Sequence, residues 1–330
     1  MSKKILVLLF LIVIVILIVM FGCSVNDQGQ SVKSDAEIDA ALNQEVAKAM
    51  SFYSKALSGD DPSAIGEFKA FLAGFDAKYG SNCTDEFTGY LDKSVRAGSR
   101  LGTTSNFPPL TDLPIVRDGD VYLSGGVADA IGALITWVAP NVTRGQYVHG
   151  AIVDTDKFDP TNLDCACFQT AVADGANYET PREWMTKPNV AVMKPAFALN
   201  PASLNAAQAA MDAYCSKRIA TSYGFFKDMV NIFSLVTKSD NTYWYCTKAP
   251  WRVYNSMGID IDSNSLLIDW TTSGLYSIIK AYYKTIYFWS SSLANSKLNQ
   301  YIASTRNTLV LAEEIYYSPY LQKCYEAIRY

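Results

Sequence analysis

The sequence predicts an α+β fold, and three observations predict it. Short runs rich in β-branched, aliphatic and aromatic residues recur at 121–123, 147–154, 165–173 and 190–193, the texture of strands. Helical periodicity brackets them, before at 34–95 and after at 203–214 and 225–235. The chain has 330 residues, 49% of them hydrophobic, enough for one sizeable core with embellishments. Small strands flanked by helices, rather than a strict alternation of the two, are the α+β pattern.

Taken in order, the chain opens with Lys3 and Lys4 ahead of an unbroken apolar run over 5–21, then Gly22-Cys23-Ser24. A positive start, an apolar stretch and a small residue at its end are the parts of a signal peptide. The Gly-Cys pair resembles a bacterial lipobox, although Met20 and Phe21 are bulkier than the usual residues before it. Residues 1–23 are therefore expected to be a lipoprotein signal peptide with Cys23 lipidated. The rival is an uncleaved anchor, since the run is just long enough to span a bilayer. Either reading places the protein in the cell envelope, tethered to a bacterial membrane and facing outside the cytoplasm. Residues 24–33, rich in Ser, Gln, Asn and Gly, read as a flexible tether.

A helical N-terminal segment is expected over 34–105. Ser34-Asp35-Ala36-Glu37 is a capping box, with Ile38, Leu42, Val46, Met50 and Tyr53 at helical spacing behind it. Asp61-Pro62 opens a second helix carrying Ile65, Phe68, Phe71, Leu72 and Phe75, and 84–95 reads as a third. The stretch around Pro108-Pro109 marks the boundary of the main domain, 106–330. There, Asp118-Gly119-Asp120 is a turn into the first strand. Beyond the strands and their flanking helices, 266–287 and 298–317 carry helical runs dense in Tyr, Ile and Leu, with Trp270, Tyr276, Ile279 and Tyr283 in the first and Trp289 just beyond it. Helices this apolar are expected to pack into a core. The alternative is that they wall an apolar cleft or rest on a membrane.

Candidate chemistry centres on two residues. His149 is the sole histidine of the chain, and Cys246 lies in Tyr243-Trp244-Tyr245-Cys246-Thr247. A cysteine nucleophile needs a base, usually histidine near neutral pH, so any thiol hydrolase built on this chain must use His149. Alone, a histidine beside valine and isoleucine is more often a core residue, and a tyrosine-flanked cysteine a small buried hydrophobe. What joins them is order: Gly119-Asp120-Val121-Tyr122, then Tyr147-Val148-His149-Gly150-Ala151-Ile152-Val153, then Thr170-Ala171-Val172, then the cysteine motif, then Met257-Gly258-Ile259-Asp260.

This series, covering roughly 113–269, resembles the YiiX-type permuted papain-like family, relatives of the NlpC-type cell-wall peptidases in which the histidine precedes the cysteine. The resemblance implies a permuted papain-like domain, a small antiparallel sheet packed with helices. It also implies a thiol hydrolase acting on an amide or ester. Cys246 would be the nucleophile, off the positive end of a helix over 247–256 that favours thiolate. His149 would be the base and later the acid, and the Cys246 N–H an oxyanion donor. Pro250 fits the first helical turn. The third residue, commonly acidic in the family, falls on Gln169 or Thr170: alignment favours Thr170, hydrogen-bonding chemistry Gln169, and strand alternation lets only one face the site. The family's Ser-Glu after the cysteine is Thr247-Lys248. Tyr245, Thr247 and Asp120 are expected to contact substrate.

Several partners are disfavoured. A net charge of −4 supplies no basic footprint for nucleic acid. Cys165, Cys167 and His149 would leave a metal without a fourth ligand, so neither a metal nor another cofactor is expected. Cys165 and Cys167, placed in one strand, point to the same face but cannot easily bridge. The sequons at Asn82 and Asn141 are incidental in a bacterial lipoprotein. The substrate is expected to be a peptide, a peptidoglycan fragment or a lipid-like molecule, met at the membrane that the lipid anchor provides. The alternative function is a catalytically inactive lipoprotein that binds lipid or peptide in a papain-like cleft.

Overall fold

In the computed structural model, Gly119 adopts φ +82°, a left-handed conformation that closes the turn before β1 (Val121–Ser124) and that favours glycine. The structure describes scattered positions within 66–88 and, with internal breaks chiefly at 126–135 and 224–235, residues 110–328. All belong to one compact unit, Leu42–Tyr330. The expected leader with Cys23, the tether, the helix beginning at Ser34 and the helix over 225–235 lie outside the described residues. Described positions between 66 and 77 are helical where the second helix is expected, and Leu72 is buried.

β1 is a central strand and is buried along its length. It pairs antiparallel on one side with β2 (His149–Val153) and on the other with β5 (Asn189–Pro195). Beyond β2 come β3 (Phe168–Val172) and β4 (Gly175–Glu179); beyond β5 comes β8 (Leu321–Ile328). The sheet thus runs β4-β3-β2-β1-β5-β8, antiparallel throughout. The fold is α+β, as expected. Strands covered on both faces read as continuous apolar runs, which is why 121–123 and 190–193 are plain in the sequence.

Helix α1 (Pro181–Thr186) begins in a full capping box between Thr180 and Glu183, with proline in its first turn. It carries Trp184, fully buried in a cluster with Tyr122, Ala151, Val153, Cys167, Phe168, Val190 and Val192. Helix α2 (Pro201–Cys215), capped by the Asn200 side chain, buries Leu204, Ala207, Met211 and Cys215. Next come the two-residue strands β6 (Ser222–Tyr223) and β7 (Tyr243–Trp244), which pair in parallel. Helix α3 (Lys248–Ser256) follows, packing on α2, β2 and β3. The Tyr254 hydroxyl donates to the Gly119 carbonyl (2.8 Å), tying α3 to the turn before β1.

Three boundaries differ from the sequence reading. β3 starts at Phe168, because Cys165 to Cys167 form a turn in which the Cys167 N–H donates to the Cys165 carbonyl (3.1 Å). The run over 298–317 is two helices, α4 (Ser291–Thr305) and α5 (Ala312–Tyr316), with an extended link between them. That link is held open by side chains: Thr247 donates to the Val310 carbonyl (2.6 Å), and the Val310 N–H donates to the Tyr245 hydroxyl (3.1 Å). Finally, β4, α1 and β8 have no counterpart in the sequence reading. Trp270, Ile279 and Leu298 are buried as the core reading of the C-terminal runs expects, whereas Tyr276 and Tyr283 are half-buried and Trp289 and Tyr317 are exposed.

Candidate active site

Cys246 stands immediately before Thr247, the N-cap of α3, so its thiol lies off the helix end where backbone N–H groups favour negative charge. The approach of α3 to β2 depends on Gly150. A Cβ added there would sit 3.1 Å from the Thr247 methyl and 3.3 Å from a Leu123 methyl. Glycine beside the histidine therefore lets the helix start close onto the strand. The loop before α3 is pinned by Lys248, a fully buried lysine whose ammonium donates to the Asp240 and Tyr243 carbonyls and lies 5.0 Å from the Trp244 ring centroid.

The Cys246 thiol donates to the carbonyl of Val148 (3.6 Å), the residue next to His149, which puts the sulfur beside the imidazole's own strand. The imidazole Nε2 is 2.7 Å from Glu179 Oε2. With Nε2 so engaged, Nδ1 is the ring nitrogen left for the thiol. The other Glu179 oxygen accepts from Lys187 (2.7 Å). Trp184 holds this chain of groups in place. Its indole stacks on His149 (centroids 5.5 Å, planes 26° apart) and packs on Phe168 (5.4 Å), the cross-strand partner of Glu179. Lys187 lies over the other part of this arrangement, 5.3 Å from the same indole centroid.

The electrostatics follow from these contacts. Burial, the largest influence, works against a charged His149 ring and Lys187 acts with it, but Glu179 and Cys246 together overcome them, raising the imidazole to about 9. Burial likewise works to raise the Glu179 carboxyl, yet His149 and Lys187 together hold it at about 2. At neutral pH the pair is imidazolium and carboxylate.

The structure therefore brings Cys246 and His149 together, from positions about a hundred residues apart, and supplies a third residue that the sequence reading missed. Gln169 and Thr170 do not orient the imidazole. Gln169 points to α2, where its amide donates to the Gln208 carbonyl (3.0 Å), and Thr170 donates to the Gly150 carbonyl (2.7 Å). The residue in contact is Glu179, at the end of a strand that begins after Asp174. A local signal existed: Thr180-Pro181-Arg182-Glu183 is itself a capping box with proline at its first helical position, which places a strand end and an acidic residue just before it.

The expected substrate contacts are also corrected. Tyr245 and Thr247 are buried and spend their hydroxyls on Val310. Asp120 is 1% exposed, and neither of its carboxylate oxygens has a hydrogen-bond partner among the described residues; Arg117 comes only to 4.0 Å. Burial raises its carboxyl to about 6 against the opposing pull of Arg117 and Lys194. Cys246 itself is 1% exposed, whereas the His149 side chain is 18% exposed, so the imidazole has the readier access to solvent. A cleft lined by Asp154, Asp156, Lys157, Asn205, Gln208 and Asp212 includes none of these site residues.

No family model matches the chain, and no curated protein matches it. Among solved structures it is similar to the crystal structure of metalloprotein yiiX from Escherichia coli O157:H7, at 15% identity and a TM-score of 0.40, over 64% of this chain and 98% of that one.

Proposed function

We propose that this chain is a cysteine hydrolase of the permuted papain-like type, anchored to a bacterial membrane through Cys23 and acting outside the cytoplasm. Its substrate would carry an amide or ester bond in a cell-envelope peptide or a lipid-like molecule. The observation that carries the reading is that Cys246, at a helix start, bonds to the carbonyl of Val148 next to His149, whose imidazole pairs with Glu179 on a second strand. In the reaction, His149 already holds the thiol proton as imidazolium, and the Cys246 sulfur bonds to the substrate carbonyl carbon. The Cys246 N–H is the donor offered to the oxyanion, and the imidazolium passes its proton to the departing amine or alcohol. Water then releases the acyl group by the same steps in reverse order, regenerating the thiol. Glu179 remains ionised throughout, holding the ring and its charge.

The burial of Cys246 favours a second reading, a lipid-anchored binding protein that keeps the arrangement without turnover. Labelling with a thiol-directed electrophile separates the two. For the hydrolase, Cys246 reacts faster than the other thiols at pH 7 and loses that advantage in His149→Ala. Cys246 labelling no faster than buried Cys215, and indifferent to His149, would leave the binding protein.

A further inference from the structure

We propose that Cys165 and Cys167 form a reversible dithiol–disulfide site that exchanges with small-molecule disulfides. Two residues apart in an extended strand, their Cα atoms would stand about 6.6 Å apart, at the outer limit of what a disulfide spans. They are not in a strand. The Cys167 N–H donates to the Cys165 carbonyl (3.1 Å), closing a three-residue turn that draws the two ends together. Both residues meet the same cluster: Cys167 is a fully buried member of the Trp184 cluster, and Cys165 packs against that cluster from outside. Ala166 between them adds no bulk.

The two thiols are unequal, as an exchange site requires. Cys165 is partly exposed, and its sulfur accepts the Asp159 N–H (3.3 Å). Cys167 is shut away from solvent. Cys165 is thus the attacking group. Its thiolate displaces one thiolate from the external disulfide, forming a mixed disulfide. The Cys167 thiol then gives up its proton and attacks the Cys165 sulfur, expelling the second external thiolate. Two protein thiols and one external disulfide become one protein disulfide and two external thiols, with no further oxidant needed. The turn also reaches α1: the Arg182 N–H donates to the Leu163 carbonyl (3.0 Å), and the Arg182 guanidinium pairs with Asp164. The redox state of the pair is thereby joined to the helix that carries Trp184, although the proposal does not depend on the hydrolase reading.

The test uses the full chain equilibrated in mixtures of reduced and oxidised glutathione, then alkylated in denaturant and digested with trypsin. The peptide between Lys157 and Arg182 holds these two cysteines and no others. With oxidised glutathione in excess, most of that peptide is expected unalkylated and two hydrogens lighter than the dithiol, returning to the dialkylated form when reduced glutathione predominates. In Cys167→Ser a glutathione adduct is expected to accumulate on Cys165. In Cys165→Ser the peptide is expected to carry neither adduct nor bridge. A dialkylated peptide at every ratio, a lasting glutathione adduct on Cys165 in the unaltered chain, or a bridge from either residue to another cysteine would overturn the proposal.

Discussion

Glu179 decides how pH acts on the candidate site. Its carboxyl is held at about 2 and the His149 ring at about 9, so the ion pair persists between those limits. The sign differs at the two ends. His149, raised from 6.5, contributes stability that is complete below that value and is lost as pH rises through about 9. Glu179, lowered from 4.5, contributes stability that is complete above that value and is lost as pH falls through about 2. Because the chain has one histidine, its imidazole resonance is unambiguous in an NMR titration. In Glu179→Gln that titration is expected to fall well below 9, since burial and Lys187 then meet only Cys246 as an opposing influence, and any hydrolysis to drop roughly 10²- to 10⁴-fold. Gln169→Ala and Thr170→Ala are expected to leave the histidine titration where it is, while lowering thermal stability through their lost hydrogen bonds. The sequence displayed Cys246 and His149 through residue type and order alone. It hid Glu179 because a carboxylate is one of many, and only strand pairing shows which one meets the ring.

At the level of elements, the site depends on how closely α3 settles on β2. Gly150→Ala places a methyl against Thr247 and Leu123, at separations that oblige both to yield by a few tenths of an ångström. The expected outcome is a loss of about 1–3 kcal/mol in urea unfolding and slower labelling of Cys246, as the helix start is pushed from the histidine. A gain in stability with unchanged labelling would show that the contact is slack. Thr180→Ala, which removes the cap of α1, is expected to cost about 1 kcal/mol and to loosen Trp184 on His149, readable as a change in tryptophan emission. The elements legible from their own residues, β1, β2, β5 and α2, are apolar runs or a helix of regular spacing, while α3 was expected through the family resemblance. Those that were not have mixed faces. β8 alternates exposure irregularly and carries a bulge opposite Val192 and Met193, and β4 is a five-residue strand holding Asn, Tyr and Glu.

For the molecule as a whole, Asp120 sets a pH-dependent strain. An acid raised from 3.8 to about 6 on folding binds its proton more tightly in the native state, so stability is fullest below 3.8 for this group and declines as pH rises through about 6. Asp120→Asn is expected to flatten that decline, raising stability at pH 8 by on the order of 2 kcal/mol relative to the parent while changing little at pH 4. Equal pH profiles for the two proteins in calorimetry would refute it. The α+β class itself was visible because it needs only the kind and arrangement of elements. The sheet order was not, since it depends on which strand edges meet across long stretches of chain.

One such meeting has a bearing on how the protein is made. β5, at 189–195, finds its outer neighbour only at 321–328. A polypeptide emerging from the ribosome at about 5–20 residues per second therefore carries an unsatisfied strand edge for several seconds, with apolar Val190, Val192 and Met193 along it. During that interval the newborn chain cannot complete its sheet.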